Sequence, residues 1–269
     1  MVVKLQDLFS FHYISIIFID MPAVGTLASI FGYGRAVIPA PAPSGLITSG
    51  LIVHLDASNS SSYPGSGTTW TDLTGTGNNG TLTNGPVYST FAGGCIDFDG
   101  TNDFVSITSN SGLQPQTATP ITMQVWVYFD ALTNGAIINK LTVSFGFDGY
   151  ILSVSSAGYV GYTVNGTGVN QVQSSNPTVV FTTGTWYLVT FITQRSATAN
   201  TTNVYVNTTR YLTNAWGNDG YSESNPLQLG GGYGGYANCK IGAFYFYNRG
   251  LSVSEITQNY TATKTRYGL

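Results

Sequence analysis

Residues 93–107 have the sequence GGCIDFDGTNDFVSI, and this stretch decides the fold. Apolar side chains recur at every second position on either side of its centre: Ile96, Phe98, Val105 and Ile107. That period of two is typical of strands that bury one face. Gly100 lies between the two runs and supplies the positive φ that a tight turn needs. The stretch therefore predicts a β-hairpin: a strand, a tight turn and a second strand.

The same alternation, or enrichment in β-branched and aromatic residues, predicts further short strands. They lie at residues 51–55, 121–129, 136–140, 150–154, 160–164, 178–181, 187–193, 203–206, 227–229 and 241–247. Turn sequences such as Asn134-Gly135 separate them. Residues 59–85 are rich in Gly, Ser, Thr and Asn, and we expect them to form a long loop. So many short strands at this spacing predict an all-β, two-sheet antiparallel sandwich.

One helix is predicted, near the C-terminus. Ser252 suits the N-cap position, and Glu255, three residues later, completes a capping box. The apolar Ile256 and Tyr260 follow at helical spacing.

The segment FDGTNDFVSI, residues 98–107, resembles the signature of laminin-G-like, concanavalin A-like jelly-roll domains. Three other segments resemble the same family in the same order, at residues 50–88, 182–192 and 246–268. Together the resemblance covers residues 46–269. It implies a jelly-roll sandwich in which the C-terminal helix closes the chain back onto the sheets.

The composition limits the partners. Charged residues make up only 8% of the chain, against about 25% in ordinary soluble domains. So little charge predicts a surface that is packed into an assembly or hydrated by uncharged Asn, Thr and Ser. The net charge is −3 and the nine basic residues are spread over the whole chain, so we expect no nucleic-acid partner.

The first 45 residues precede the predicted domain. Residues 1–21 contain the apolar run 8–19, whose twelve residues are too few for a bilayer-spanning helix. We favour an N-terminal arm that buries its Phe and Ile side chains against a neighbouring subunit. A signal peptide, or an extension upstream of a start at Met21, stays open. Residues 22–45 form a predicted linker that is rich in Pro, Gly and Ala.

Paired carboxylates for catalysis are scarce. The glucanases of the resembled family use such a pair, usually in the pattern Glu-x-Asp-x-x-Glu on one strand. This chain has only two glutamates, Glu223 and Glu255, and Glu255 is already assigned to the helix cap. Asp97 and Asp99 are the one acidic pair within a predicted strand, and Asp99 reaches into the turn. The sequence therefore predicts no catalytic residues, with a glycoside hydrolase as the least favoured alternative.

Calcium is the one metal that the sequence suggests. Asp99, Asn102 and Asp103 place three oxygen donors within five residues, and many laminin-G-like domains carry calcium at the sandwich rim. Relatives with calcium often have two Asp residues where this chain has Gly242-Ala243. No cofactor is required, and the favoured alternative is that these residues only build the turn.

The two cysteines, Cys95 and Cys239, are predicted to be separate buried thiols, with a single disulfide as the alternative.

Carbohydrate is the organic ligand that the family resemblance implies. Aromatic rings stack on sugar rings, and amides and hydroxyls bond the sugar oxygens. The candidate residues lie in two predicted loops: Trp216, Asn218, Asp219, Tyr221, Tyr233 and Tyr236. The alternative is that these aromatic residues cover the core edge or contact a neighbouring subunit.

Two classes of function follow. The favoured one is a non-enzymatic structural protein of a virion, because the sequence of residues 61–103 resembles that of laminin-G-like domains of bacteriophages and large DNA viruses. Its partners would be neighbouring virion subunits, held through the N-terminal arm, and a host-surface glycan. The alternative is a secreted or cell-surface carbohydrate-binding lectin.

Overall fold

The structure is a computed structural model that describes residues 45–114, 119–141, 149–165, 172–175, 180–194, 200–216 and 225–269. The predicted arm, residues 1–21, and residues 22–44 of the predicted linker lie outside these ranges. Part of the strand predicted at 178–181 also lies outside them, and Val180 and Phe181 are not in a strand.

The described residues contain sixteen strands, numbered here in chain order. They are β1 (Leu51–Asp56), β2 (Thr69–Trp70), β3 (Gly80–Thr83), β4 (Val87–Ser89), β5 (Cys95–Asp99), β6 (Phe104–Ile107), β7 (Ile121–Phe129), β8 (Gly135–Asn139), β9 (Gly149–Val154), β10 (Val160–Asn165), β11 (Val172–Ser175), β12 (Trp186–Gln194), β13 (Asn200–Val206), β14 (Thr209–Trp216), β15 (Leu227–Leu229) and β16 (Asn238–Tyr247). One α-helix, α1 (Val253–Thr263), follows β16 in this part of the chain.

The strands form two antiparallel sheets, which confirms the predicted sandwich. Sheet A has the order β14-β13-β12-β7-β16-β5-β4, and β1 also pairs with β16. Sheet B has the order β11-β10-β9-β8-β15-β6-β3-β2. The main core lies between the sheets, where alternate residues such as Phe98, Phe129, Phe191 and Phe244 are fully buried. Each such ring contributes about 1.5–3 kcal/mol when it is removed from water.

The predicted hairpin around Gly100 is wrong. β5 pairs with β4 and β16 in sheet A, whereas β6 pairs with β3 and β15 in sheet B. The segment between them is therefore a corner that carries the chain from one layer to the other. A period of two shows that each strand buries one face, and it cannot tell whether two such faces lie side by side or opposite each other. Asp103 holds the corner, because its Oδ2 accepts a hydrogen bond from the Asp99 N–H at 3.2 Å.

The long loop predicted for residues 59–85 contains two short strands, β2 and β3. Trp70 of β2 and Leu82 of β3 are buried in the main core, together with Tyr63. β2 spans only two residues and β3 only four. Runs this short show too little alternation of apolar and polar residues to be identified as strands from the sequence.

The predicted helix and its capping box are confirmed. The Ser252 side chain accepts a hydrogen bond from the Glu255 N–H, and the Glu255 side chain accepts one from the Ser252 N–H. The helix covers the outer face of sheet A, where Ile256 packs in a cluster with Trp126 and Tyr245.

Both cysteines are free and buried, which confirms the prediction of separate thiols. Cys239 lies in the core between the sheets, whereas Cys95 lies in the cluster beneath the helix. The two side chains therefore lie on opposite faces of sheet A. Burial raises the pKa of the Cys95 thiol to about 11, so it is protonated at neutral pH.

Candidate functional site

The outer face of sheet B carries a depression with a volume of about 530 Å³. Tyr150 and Leu152 of β9 point into the core. Because side chains alternate along a strand, Ile151 and Ser153 point outward from sheet B. Residues on both walls and the floor line it: Asn134, Gly135, Leu141, Ile151, Ser153, Val154, Ser155, Tyr159, Gly161, Tyr162, Thr163, Tyr233 and Gly234. We call this feature the sheet B trough.

Small residues in register create the trough. Ser153 of β9 pairs with Ala136 of β8 on one side and with Gly161 of β10 on the other. The small Ser153 and Gly161 leave the sheet surface low at the trough, whereas Ala136 is fully buried and does not line it. The next outward pair, Ile151 and Thr163, also faces each other across β9 and β10 and forms one side of the trough.

A glycine-rich loop builds the opposite wall. The Gly230 N–H donates to the Ile137 carbonyl at 3.0 Å, which anchors the loop to β8. Gly234 has a φ of 97°, and a side chain there would meet the Ile151 Cδ1 at 2.9 Å. Glycine thus allows the loop to lie directly against the sheet. The loop presents Tyr233 at the trough with 38% of its surface exposed.

Three hydroxyl groups in the trough make no hydrogen bond within the described part of the chain: those of Ser153, Tyr159 and Thr163. Thr163 is only 6% exposed as a residue, and a ligand that covers it would have to offer its hydroxyl a hydrogen bond. Asn134 stands at the rim, and its Oδ1 accepts a hydrogen bond from the Ser156 N–H at 2.9 Å. This hydrogen bond orients the Asn134 amide, and its NH2 group is available to a ligand.

Of the predicted carbohydrate-binding residues, the structure places Tyr233 in the trough. Tyr236 is outside it, and its ring lies against Gly231, where an added Cβ would come within 2.3 Å of Cδ1. Trp216 ends β14 in sheet A. Asn218, Asp219 and Tyr221 lie outside the described residues. Carbohydrate binding by these residues stays a prediction.

Sequence analysis missed Ser153, Tyr159 and Thr163. Outward Ser and Thr residues at alternate positions of β9 and β10 were visible in the sequence as a weak signal. Similar residues alternate in many other strands of this chain, so only the register between strands identifies this set.

Two of the three predicted calcium residues, Asp99 and Asp103, lie at a second depression, with a volume of about 460 Å³, and Asn102 does not line it. Asp97, Asp99 and Asp103 line it. Lys240 Nζ pairs with Asp97 at 2.9 Å, and Asp99 Oδ1 accepts a hydrogen bond from the Thr101 N–H at 2.7 Å. Burial raises the pKa of Asp103, and the nearby carboxylates of Asp99 and Asp97 add to this rise.

These residues fit a calcium ion poorly. Asn102 is exposed, and its backbone carbonyl already accepts a hydrogen bond from Asn84 Nδ2 at 2.9 Å. Within the described ranges, no three acidic, histidine or cysteine side chains are grouped so that they could hold a metal ion. The carboxylates of Asp99 and Asp103 accept hydrogen bonds from backbone N–H groups of the corner and so stabilise its conformation. Calcium binding stays a prediction.

The comparison with known proteins identifies the family. The sequence profile of the concanavalin A-like lectin/glucanases superfamily matches residues 99–257. Because this match covers more than half of the chain, the chain belongs to that superfamily, as its resemblance predicted. No curated protein sequence matches the chain.

Several solved structures share the fold. The binding domain of Paraclostridial mosquitocidal protein 1 superposes with a TM-score of 0.60 at 14% identity, covering 78% of this chain and 52% of that one. The receptor-binding domain of botulinum neurotoxin type G gives 0.57 at 14% identity, with 79% and 51% covered. A sialidase of Trypanosoma rangeli in complex with sialic acid gives 0.60 at 16% identity, with 84% and 35% covered. The chain thus spans about half the length of the toxin domains, and the likeness shows the fold alone.

None of the helices in the described ranges combines the length and apolar character that crossing a bilayer requires.

Proposed function

We propose that this chain is a non-catalytic carbohydrate-binding protein that holds a glycan in the sheet B trough. The observation that carries the proposal is the set of three hydroxyls, on Ser153, Tyr159 and Thr163, that line an open trough and make no hydrogen bond to any residue that the structure describes. Sugar hydroxyls both donate and accept hydrogen bonds, so they match serine, threonine and tyrosine hydroxyls.

The rest of the trough suits a sugar ring as well. Ile151 and Leu141 form an apolar surface for the C–H groups of a pyranose, and Tyr233 offers an exposed aromatic ring beside them. Its volume of about 530 Å³ lies within the range of about 300–1,000 Å³ that is typical of small-molecule sites.

The lining also supports a binding role rather than hydrolysis. Glycoside cleavage uses two carboxyl groups that flank the bond. The described residues that line the trough include no Asp or Glu. Asp97, Asp99 and Asp103 line the second depression without forming a close cluster, and each already has a partner: Lys240, the Thr101 N–H and the Asp99 N–H, respectively. Incubation with the bound glycan is therefore expected to release no shorter product.

A virion is the setting that we propose for this binding protein, with a secreted or cell-surface lectin as the alternative. The support is the 8% content of charged residues, the apolar run at 8–19 and the Pro-rich spacer that follows it. Mass spectrometry of purified virus particles tests this setting. The chain should be present together with its first twenty residues, and particles without the chain would contradict the setting.

A glycan-array screen of the full chain tests the binding role. We expect at least one oligosaccharide to bind, with affinity reduced about five- to tenfold by Thr163→Val, which removes a hydroxyl at nearly constant volume. Thr81→Val is the matched control, because Thr81 is an exposed threonine on β3, at the other end of sheet B. Absence of any bound glycan, or equal effects of the two variants, would refute the proposal.

A further inference from the structure

We infer that the sheet B trough selects an uncharged oligosaccharide over sialylated, sulfated or uronic-acid glycans. This inference rests on the proposed function and concerns the same site. It goes further, because it assigns the chemical class of the ligand.

The distribution of positive charge carries the first step. The described residues contain six basic side chains: Lys140, Arg210, Lys240, Arg249, Lys264 and Arg266. Five of these lie in sheet A or in the segment from β16 to the C-terminus that packs on sheet A. Lys140 alone adjoins sheet B, and its Nζ donates to Ser109 Oγ at 2.7 Å and to the Asn225 carbonyl. These partners are not among the residues of the trough.

The character of the lining carries the second step. Every described side chain in the trough is uncharged: hydroxyls, one amide, apolar groups and glycine. Proteins bind carboxylate, sulfate and phosphate groups with Arg or Lys, because a charge-assisted pair offsets the loss of hydration. An anionic sugar placed against the buried Thr163 would lose water and gain no opposite charge from the described residues of the trough. A neutral sugar meets no such penalty.

The shape of the trough carries the third step. The low line crosses three neighbouring strands, through Gly135 of β8, Ser153 of β9 and Gly161 of β10. Adjacent strands are about 4.8 Å apart, so the line is about 10 Å long. A trough of this length, open along its top, suits several linked sugars better than a single one.

The test uses matched pairs of oligosaccharides that differ only in one sialic acid or sulfate group, measured with the full chain. We expect the neutral member of each pair to bind at least tenfold more tightly. Raising the salt concentration from about 0.05 to 0.5 M is expected to change its Kd less than twofold, because salt screens charge pairs and leaves neutral contacts unaffected.

The outcomes separate the two proposals. Tight binding of only the charged members, with an affinity that falls in salt, would overturn this inference and leave carbohydrate binding intact. Binding of neither member in any pair would overturn the proposed function and this inference with it. Tyr233→Ala should weaken the neutral ligand, whereas Phe91→Ala, an exposed aromatic ring beside sheet A, should not.

Discussion

At the scale of single residues, Asp72 is the polar side chain that organises the loop between β2 and β3. Its carboxylate accepts hydrogen bonds from the His54 N–H at 2.9 Å, from Thr74 N–H and Oγ1 at 3.0 and 2.7 Å, and from Thr76 Oγ1 at 2.8 Å. Burial alone would raise the pKa of Asp72, but the bonds from Thr74, His54 and Thr76 outweigh it and lower that pKa. This one carboxylate therefore ties the loop to β1.

Asp72→Asn is expected to lower the free energy of unfolding by about 3 kcal/mol, because the amide NH2 would face hydrogen-bond donors and leave them unpaired. Urea unfolding at neutral pH measures the change. Asp99→Asn is the matched control, since Asp99 is exposed and, among the described residues, its carboxylate accepts a hydrogen bond from the Thr101 N–H alone. A cost for Asp72→Asn no larger than that of the control would contradict the role of Asp72.

Glu255 makes stability depend on pH. Arg249 bonds both of its carboxylate oxygens, at 2.7 and 3.1 Å, and these hydrogen bonds hold the pKa of Glu255 at about 2. Because the folded-state pKa lies below the unfolded value of 4.5, this stabilisation is complete above about pH 4.5. It is lost as the pH falls toward 2.

Glu255→Gln should therefore lower the melting temperature at pH 7 and leave it nearly unchanged at pH 2. We expect a cost of about 1–2 kcal/mol at neutral pH, since the variant weakens the capping box and the pair with Arg249. Thermal unfolding of both proteins over this pH range measures it. A difference between the proteins that stays constant with pH would show that the charge of Glu255 is not the cause.

At the scale of elements, a buried polar network joins α1 to sheet A. Asn259 is fully buried, and its Nδ2 donates to Gln124 Oε1 at 2.6 Å and to the Tyr247 hydroxyl at 2.9 Å. Its Oδ1 accepts from the Ile47 N–H at 2.8 Å. One amide thus connects the helix, two strands and the segment that precedes β1, which fixes how the helix lies on the sheet.

Asn259→Ala is expected to destabilise the protein by about 2–4 kcal/mol, because it leaves the buried Gln124 Oε1 and the Ile47 N–H without their partner, whereas the Tyr247 hydroxyl keeps its bond to the Ile47 carbonyl. Gln258→Ala is the control on the same helix, since Gln258 makes one hydrogen bond, to the Gly45 carbonyl. Denaturant unfolding of both variants measures the difference. Equal costs would mean that the network does not hold the helix in place.

The corner between β5 and β6 leads to a prediction about calcium. Asp99 and Asp103 bond backbone N–H groups of the corner, and Asp97 pairs with Lys240. We therefore expect EDTA to leave the melting temperature unchanged in a protein purified with calcium. A fall of several degrees would show that a bound ion stabilises the folded state, by mass action.

At the scale of the whole molecule, the sandwich separates two surfaces. The chain joins the sandwich beside α1, where Gln258 bonds the Gly45 carbonyl and Asn259 bonds the Ile47 N–H. That point lies on the outer side of sheet A, under the helix. The trough lies on the outer face of sheet B. A protein tethered through its N-terminal segment would in this way present its binding face away from the point of attachment.

Deletion of residues 1–44 is accordingly expected to leave the melting temperature within about 2 °C and the glycan affinity within about twofold of the full chain. The reason is that the contacts of Gly45 and Ile47 are kept. Incorporation into virus particles should be lost, if the arm anchors the chain there. Loss of glycan binding on deletion would contradict the separation of the two surfaces.

The sequence by itself determined the all-β class, the single capped helix and the position of most strands, because these depend on local periodicity and capping. Only the tertiary structure decided that β5 and β6 belong to different sheets, since their alternation is the same in a hairpin and in a corner. It also decided which of many outward Ser and Thr side chains meet. Thr163 lies opposite Ile151, and Ser153 opposite Gly161, because of strand register, and register depends on contacts between residues that are distant in the chain.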